Sequence, residues 1–106
     1  MTTRGSGEAE KVLPESGMVS ASELCRVCRL GQDVLVEWVS EGVLEPTVER
    51  SEWYFSARQV HRARTASRLQ RDLELSLVGL PLVLDLLEEV QQLRVELAVL
   101  RRQIEE

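Results

Sequence analysis

Residues 20–42 read SASELCRVCRLGQDVLVEWVSEG, and this stretch decides the fold. Ser20-Ala21-Ser22-Glu23 has the capping-box pattern. Ser20 is placed to accept from the backbone N–H of Glu23, and the Glu23 side chain to reach back to Ser20. A short helix is expected to follow, to about Arg29, burying Leu24 with Val27 or Cys28, and Cys25 as a further candidate. Gly31 is expected to supply the turn. A second helix is expected from about Asp33 to Glu41, with Leu35 and Val39, four apart, as its inner stripe. Gly42 stands where a left-handed residue commonly ends a helix. Two helices of this length joined by a glycine-containing turn make a helix-turn-helix.

Working outward, Val43 and Leu44 start an extended segment, and Pro46 holds Glu45 extended. Glu49 to Glu52 read as a turn, and Trp53-Tyr54-Phe55 as a strand by side-chain preference. Together they predict a small two-stranded wing, which needs helices behind it to be stable. Ser56-Ala57-Arg58-Gln59 is a second capping box. It opens a third helix to about Asp72, with Val60, Ala63, Ala66, Leu69 and Leu73 on its inner side. The last helix is expected to start near Ser76 and run toward the C-terminus, with a kink or fresh start at Pro81. Upstream, residues 1–18 mix Gly, Ser, Thr and Glu without periodicity and are expected to form a disordered leader. The expected organisation is thus leader 1–18, winged helix-turn-helix 19–75 and C-terminal helix 76–106, a mainly α fold.

The chain has 106 residues, 43% of them hydrophobic, which suits one small domain. Its formal charge is −5, and the charge is unevenly placed. Residues 20–55 sum to −4, residues 56–72 to +4, and residues 73–106 to −4. The helix-turn-helix and wing are therefore acidic and the third helix basic. Asp33, Glu37 and Glu41 recur every four residues along one face of the second helix. In a major groove they would meet phosphates and base edges with no cation to offset them. That face suits a basic protein partner instead, and Asp33, Val36, Glu37 and Glu41 are the candidate partner-binding residues. Sequence-specific DNA binding is not expected; the alternative reading is a DNA-binding transcriptional regulator with the third-helix arginines on phosphate. The arginines at 58, 62, 64, 68 and 71 form no single stripe, and are expected to neutralise the acidic segments on either side.

Cys25-x-x-Cys28 could suggest zinc or redox chemistry. A structural zinc site takes four ligands, and His61 is the only other soft donor. The two cysteines lie within a capped helix with no strand before it, unlike a thioredoxin-type pair. They are expected to pack as small apolar residues. No nucleophile-base grouping and no glycine-rich phosphate loop is visible, so no catalytic residue, cofactor or metal is expected. No apolar run has the length of a membrane span and no secretory signal is visible, so a cytoplasmic setting is expected.

Val83, Leu86, Val90, Leu93, Leu97, Leu100 and Ile104 are spaced alternately three and four apart, a heptad pattern. Leu82, Val83 and Leu86 are expected to pack on the helix-turn-helix. Val90, Leu93, Leu97, Leu100 and Ile104 reach beyond so small a domain and are expected to pair with a second copy as a coiled coil. Glu89 and Glu96 at g would meet Arg94 and Arg101 at e in a parallel pair, which favours that orientation slightly.

The order helix, helix, wing, helix, long helix resembles the MerR family of winged helix-turn-helix proteins. The resemblance to its DNA-binding members breaks where DNA would be touched. Those usually carry an Arg followed by aromatics in the second helix, where this chain has Val36-Glu37-Trp38. They also carry Arg before an aromatic at the end of the wing, where this chain has Trp53-Tyr54-Phe55. The chain more closely resembles the chaperone-modulator (CbpM-like) family. The resemblance rests on Trp53-x-Phe55 and on Arg68-Leu69-x-x-Asp72-Leu73-x-Leu75 leading into Gly79. It rests also on Leu82 to Val90 with Leu93, Leu97 and Leu100 behind. It implies a protein that binds the J-domain of a DnaJ-like (CbpA-type) co-chaperone and inhibits its coupling to the Hsp70-type chaperone. MerR-type regulators pair their long helices antiparallel, so the resemblance pulls against the parallel orientation.

Overall fold

A computed structural model describes residues 17–105 of the chain. The expected leader lies outside the described residues except for Gly17 and Met18. The elements run β1 (Val19–Ser20), α1 (Ala21–Cys28), α2 (Gln32–Ser40), β2 (Thr47–Glu49), β3 (Glu52–Phe55), α3 (Ala57–Leu73) and α4 (Leu80–Glu105).

Both predicted N-caps form, but only on the serine side. Ser20 Oγ accepts from Glu23 N at 3.1 Å, and Ser56 Oγ from Gln59 N at 3.3 Å. The third residue of each box turns elsewhere. The Glu23 carboxylate pairs with Arg26, and Gln59 Oε1 accepts from Glu45 N at 2.9 Å. Gln59 is thereby a buried tie between α3 and the segment entering the wing. The turn between α1 and α2 also differs from expectation. Arg29 takes the left-handed conformation at φ 58°, and Gly31 is the extended N-cap of α2. Gly42 does occupy the left-handed position after α2, at φ 84°.

The wing has three strands, not two. β3 is central and pairs antiparallel with both β1 and β2. Val19 lies opposite Phe55, and Ser20 opposite Tyr54. The residues just before α1 thus close the free edge of β3, which no local pattern announces. Arg50 and Ser51 turn the β2–β3 hairpin with φ of 53° and 65°, the two left-handed residues that a two-residue hairpin turn demands. Glu49 and Glu52 close that turn as a directly opposed pair.

The core comprises Leu24, Leu35, Trp38, Val43, Leu44, Phe55, Ala63, Ala66, Leu80 and Leu84. Trp38 is only 2% exposed, so the inner stripe of α2 is Leu35 and Trp38, with Val39 packed half-buried beside them. In β3 the side chains of Trp53 and Phe55 share one face, and their rings meet edge-on at 6.4 Å. On α3, Leu73 is exposed and not on the inner side. Arg62 is buried instead. Its Nε donates to the Val43 carbonyl at 2.6 Å, and Nη1 to Asp85 at 3.0 Å and Glu88 at 3.1 Å. Arg58 also donates to Glu88, at 2.7 Å. Two of the α3 arginines therefore neutralise carboxylates of α4.

The last helix starts at Leu80, four residues later than expected. Ser76 caps a turn, with its carbonyl accepting from Leu80 N at 3.1 Å. Pro81 falls in the first helical turn, where its missing N–H costs no bond. This shifts which face meets the domain: Leu80 and Leu84 are buried, whereas Leu82 and Leu86 are exposed and do not pack there as expected. At 1.5 Å per residue the 26 residues of α4 reach about 39 Å, so most of the helix projects past the domain. The molecule measures 54 × 35 × 19 Å.

Candidate functional site

α2 lies on the outside of the domain, held by Leu35 and Trp38. The opposite side carries Asp33, Val36, Glu37 and Glu41, all exposed. The structure thus brings together the four residues expected on the partner-binding face. Asp33 sits in the first turn of α2, where the helix dipole favours a carboxylate. Its carboxylate folds so closely over Gly31 that a Cβ there would come within 2.6 Å of Oδ1. Val36 is 54% exposed, an apolar side chain set among three carboxylates.

The wing extends this acidic surface with residues the sequence reading did not single out as site residues. Glu49 and Glu52 face each other directly across the hairpin, an arrangement of like charges that destabilises an isolated protein. The signal was present in the sequence as two glutamates either side of a two-residue turn, but pairing them needs the hairpin register. Trp53 follows Glu52 and is half-buried. Between α2 and the wing lies a cavity of about 310 Å³ whose lining includes Val36, Glu52 and Trp53. A larger crevice of about 580 Å³ separates α3 from α4, with His61, Thr65 and Arg68 on one wall and Leu87, Gln91 and Val95 on the other.

Cys25 and Cys28 are both free and half-buried. Burial pushes both thiols up from the ordinary 9.0. At Cys28 the charge and hydrogen bond of Arg64 oppose that shift in part. A raised thiol is a poor nucleophile and a poor metal ligand. Among the described residues no cluster of three His, Cys, Asp or Glu is arranged to hold a metal ion.

The residues expected to dimerise lie bare along α4. Val90, Leu93, Leu97, Leu100 and Ile104 are each at least 44% exposed. Leu87, Val95 and Val99, off the heptad stripe, are exposed as well. So much apolar surface on one helix marks an interaction site. No described helix is long and apolar enough to cross a membrane.

A family model described as MerR HTH family regulatory protein matches residues 19–102. A chaperone modulatory protein CbpM from Pseudomonas putida is 39% identical over 82 residues, 76% of this chain and 81% of that protein. The chain belongs to the CbpM family, within the MerR helix-turn-helix group. The CbpM of Pseudomonas entomophila is 38% identical over the same shares of both chains. That of Coxiella burnetii is 28% identical over 92 residues, 86% of this chain and 87% of that protein. The region matched by the family model runs through the helix-turn-helix, the wing and most of α4.

Proposed function

We propose that this chain is a chaperone modulator, a binding protein and not an enzyme, that works in the cytoplasm. Its acidic α2 face binds the J-domain of a DnaJ-like, CbpA-type co-chaperone and inhibits that protein's coupling to an Hsp70-type chaperone. The observation that carries this is the charge of α2. The helix a winged helix-turn-helix would lay in the major groove presents Asp33, Glu37 and Glu41, and the wing beside it adds the opposed Glu49 and Glu52. Phosphates would be repelled there, whereas a basic helix would be attracted. The arginines Arg58 and Arg62 offer a DNA reading little support, since both are engaged with carboxylates of α4. The relatives' name supports modulation of a chaperone. We further propose a homodimer paired through Val90, Leu93, Leu97, Leu100 and Ile104, in a coiled coil that covers the bare face of α4.

The test is direct. The purified J-domain of a CbpA-type co-chaperone should bind the full chain, and the chain should suppress the ATPase stimulation that the co-chaperone gives its Hsp70-type partner. A band shift on duplex DNA at about 10⁻⁸ M protein, the range of specific DNA readers, that survives competitor DNA would overturn the proposal in favour of a transcriptional regulator.

A further inference from the structure

The cavity between α2 and the wing has a composition that the charge argument does not use. Val36 and Gln32, one helical turn apart on the same face of α2, form one wall. Glu52 and Trp53 form the other, and buried Leu35 lines the cavity between them. The Trp53 ring packs edge-on against buried Phe55. At about 310 Å³ the cavity stands at the lower limit of sites that take whole small molecules. It has room for a side chain or two from a partner's surface. Its rim is acidic. Glu52 belongs to the wall itself, and Glu49 faces Glu52 across the hairpin; Asp33 and Glu37 lie outside the lining, turned away from the slot along α2. Arg50 at the hairpin tip is the cation nearest in sequence to this rim.

We propose that this slot is the anchor point of the partner interface. It receives one large apolar side chain from a helix whose neighbouring positions are Lys or Arg. The occupant follows from the combination: a bare acidic rim selects a basic helix, and an apolar slot within the rim selects an apolar residue on that helix. This is helix-in-groove recognition. It rests on the reading that the acidic face binds the J-domain. It adds that affinity resides in the slot, while the carboxylates govern encounter and its salt dependence. Buried anchors dominate interface energetics, and rim charges act mainly on association.

The experiment compares the full chain with Val36→Gln and with Glu37→Gln, using the purified J-domain of a CbpA-type co-chaperone as probe. Val36 is exposed, so its substitution leaves the core intact. Val36→Gln should weaken binding at least about tenfold, as loss of a hot-spot residue does, without changing the salt slope. Glu37→Gln should change the salt slope and alter affinity less. With 5-fluorotryptophan in this chain alone, the two tryptophans give two fluorine resonances, and only that of Trp53 should shift on binding. If Val36→Gln binds as the wild type does and the Trp53 resonance stays still while the J-domain is bound, the slot is rejected and the acidic-face reading stands. If the wild-type chain does not bind the J-domain at all, both are overturned.

Discussion

Replacing Arg62 by Met should destabilise the domain by about 2–4 kcal/mol. Arg62 is 6% exposed, and its guanidinium makes three bonds. Its Nε–H reaches the carbonyl of Val43, a residue with no exposed surface. A bond from a charged donor is worth about 1.5–3 kcal/mol, and a buried carbonyl left without a donor costs about 1–3 kcal/mol, two estimates that overlap. The ion pairs add less. The Asp85 side chain is 66% exposed and rehydrates when the arginine is lost, which places that pair at about 0–1 kcal/mol. Glu88, 31% exposed, keeps Arg58 as its partner. Met preserves most of the volume, so little cavity forms. In a domain of this size each kcal/mol moves the Tm by about 4–8 °C, which gives a fall of about 8–32 °C. Thermal unfolding followed by circular dichroism measures it, at one fixed protein concentration because assembly links Tm to concentration. Asp85→Asn is the matched control and should cost less than about 1 kcal/mol. If Arg62→Met melts with the wild type, or if Asp85→Asn costs as much, then the Val43 bond is not the main contribution of Arg62 to stability.

Reversing Asp33, Glu37 and Glu41 together to Lys should slow J-domain association, and added salt should mimic the effect on the wild type; surface plasmon resonance across ionic strength measures both. Leu93→Lys with Leu100→Lys should convert a dimer to a monomer, because each leucine hidden in an interface contributes roughly 1.5–3 kcal/mol and a lysine ammonium there must stay hydrated. Sedimentation reads this out, and a wild type that is monomeric at tens of micromolar refutes the heptad pairing. Cys25 and Cys28 should alkylate slowly near neutral pH and react faster only well above pH 9. Their folded thiols hold protons more tightly than unfolded ones. The same sign means their contribution to stability is intact below the unfolded value and is lost as pH rises through the folded one. Arg64→Ala should slow Cys28 further, since Arg64 is what partly lowers it; mass spectrometry of iodoacetamide-labelled peptides follows each site.

The order of elements was legible because it rests on local chemistry. The serine caps at Ser20 and Ser56, the left-handed Gly42 and the apolar spacing of α2 each act within one turn of helix. The acidic face was legible for the same reason: Asp33, Val36 and Glu37 belong to one short helix and Glu41 caps its end, so helical spacing alone aligns them. What went astray involved partners far away in the chain. Gln59 has the residue type of a capping box, yet the Glu45 N–H fourteen residues earlier takes its side chain. Arg62 looks like one more surface arginine until Val43 and two carboxylates of α4 surround it. The third strand was invisible because two residues, Val19 and Ser20, carry too little pattern to announce a pairing with β3.

The C-terminal helix shows where the division falls. Heptad spacing by itself determined that Val90, Leu93, Leu97, Leu100 and Ile104 share one stripe, since the period of an α-helix follows from its backbone geometry. Which stripe of α4 meets the domain was decided only in three dimensions. The turn capped by Ser76 delays the helix to Leu80, so Leu80 and Leu84 face inward and Leu82 and Leu86 face outward. The slot beside Val36 was decided the same way, because its two walls come from α2 and β3 and meet only when the wing folds against the helix. Periodicity orders side chains within an element; the packing of one element on another sets which of them are covered.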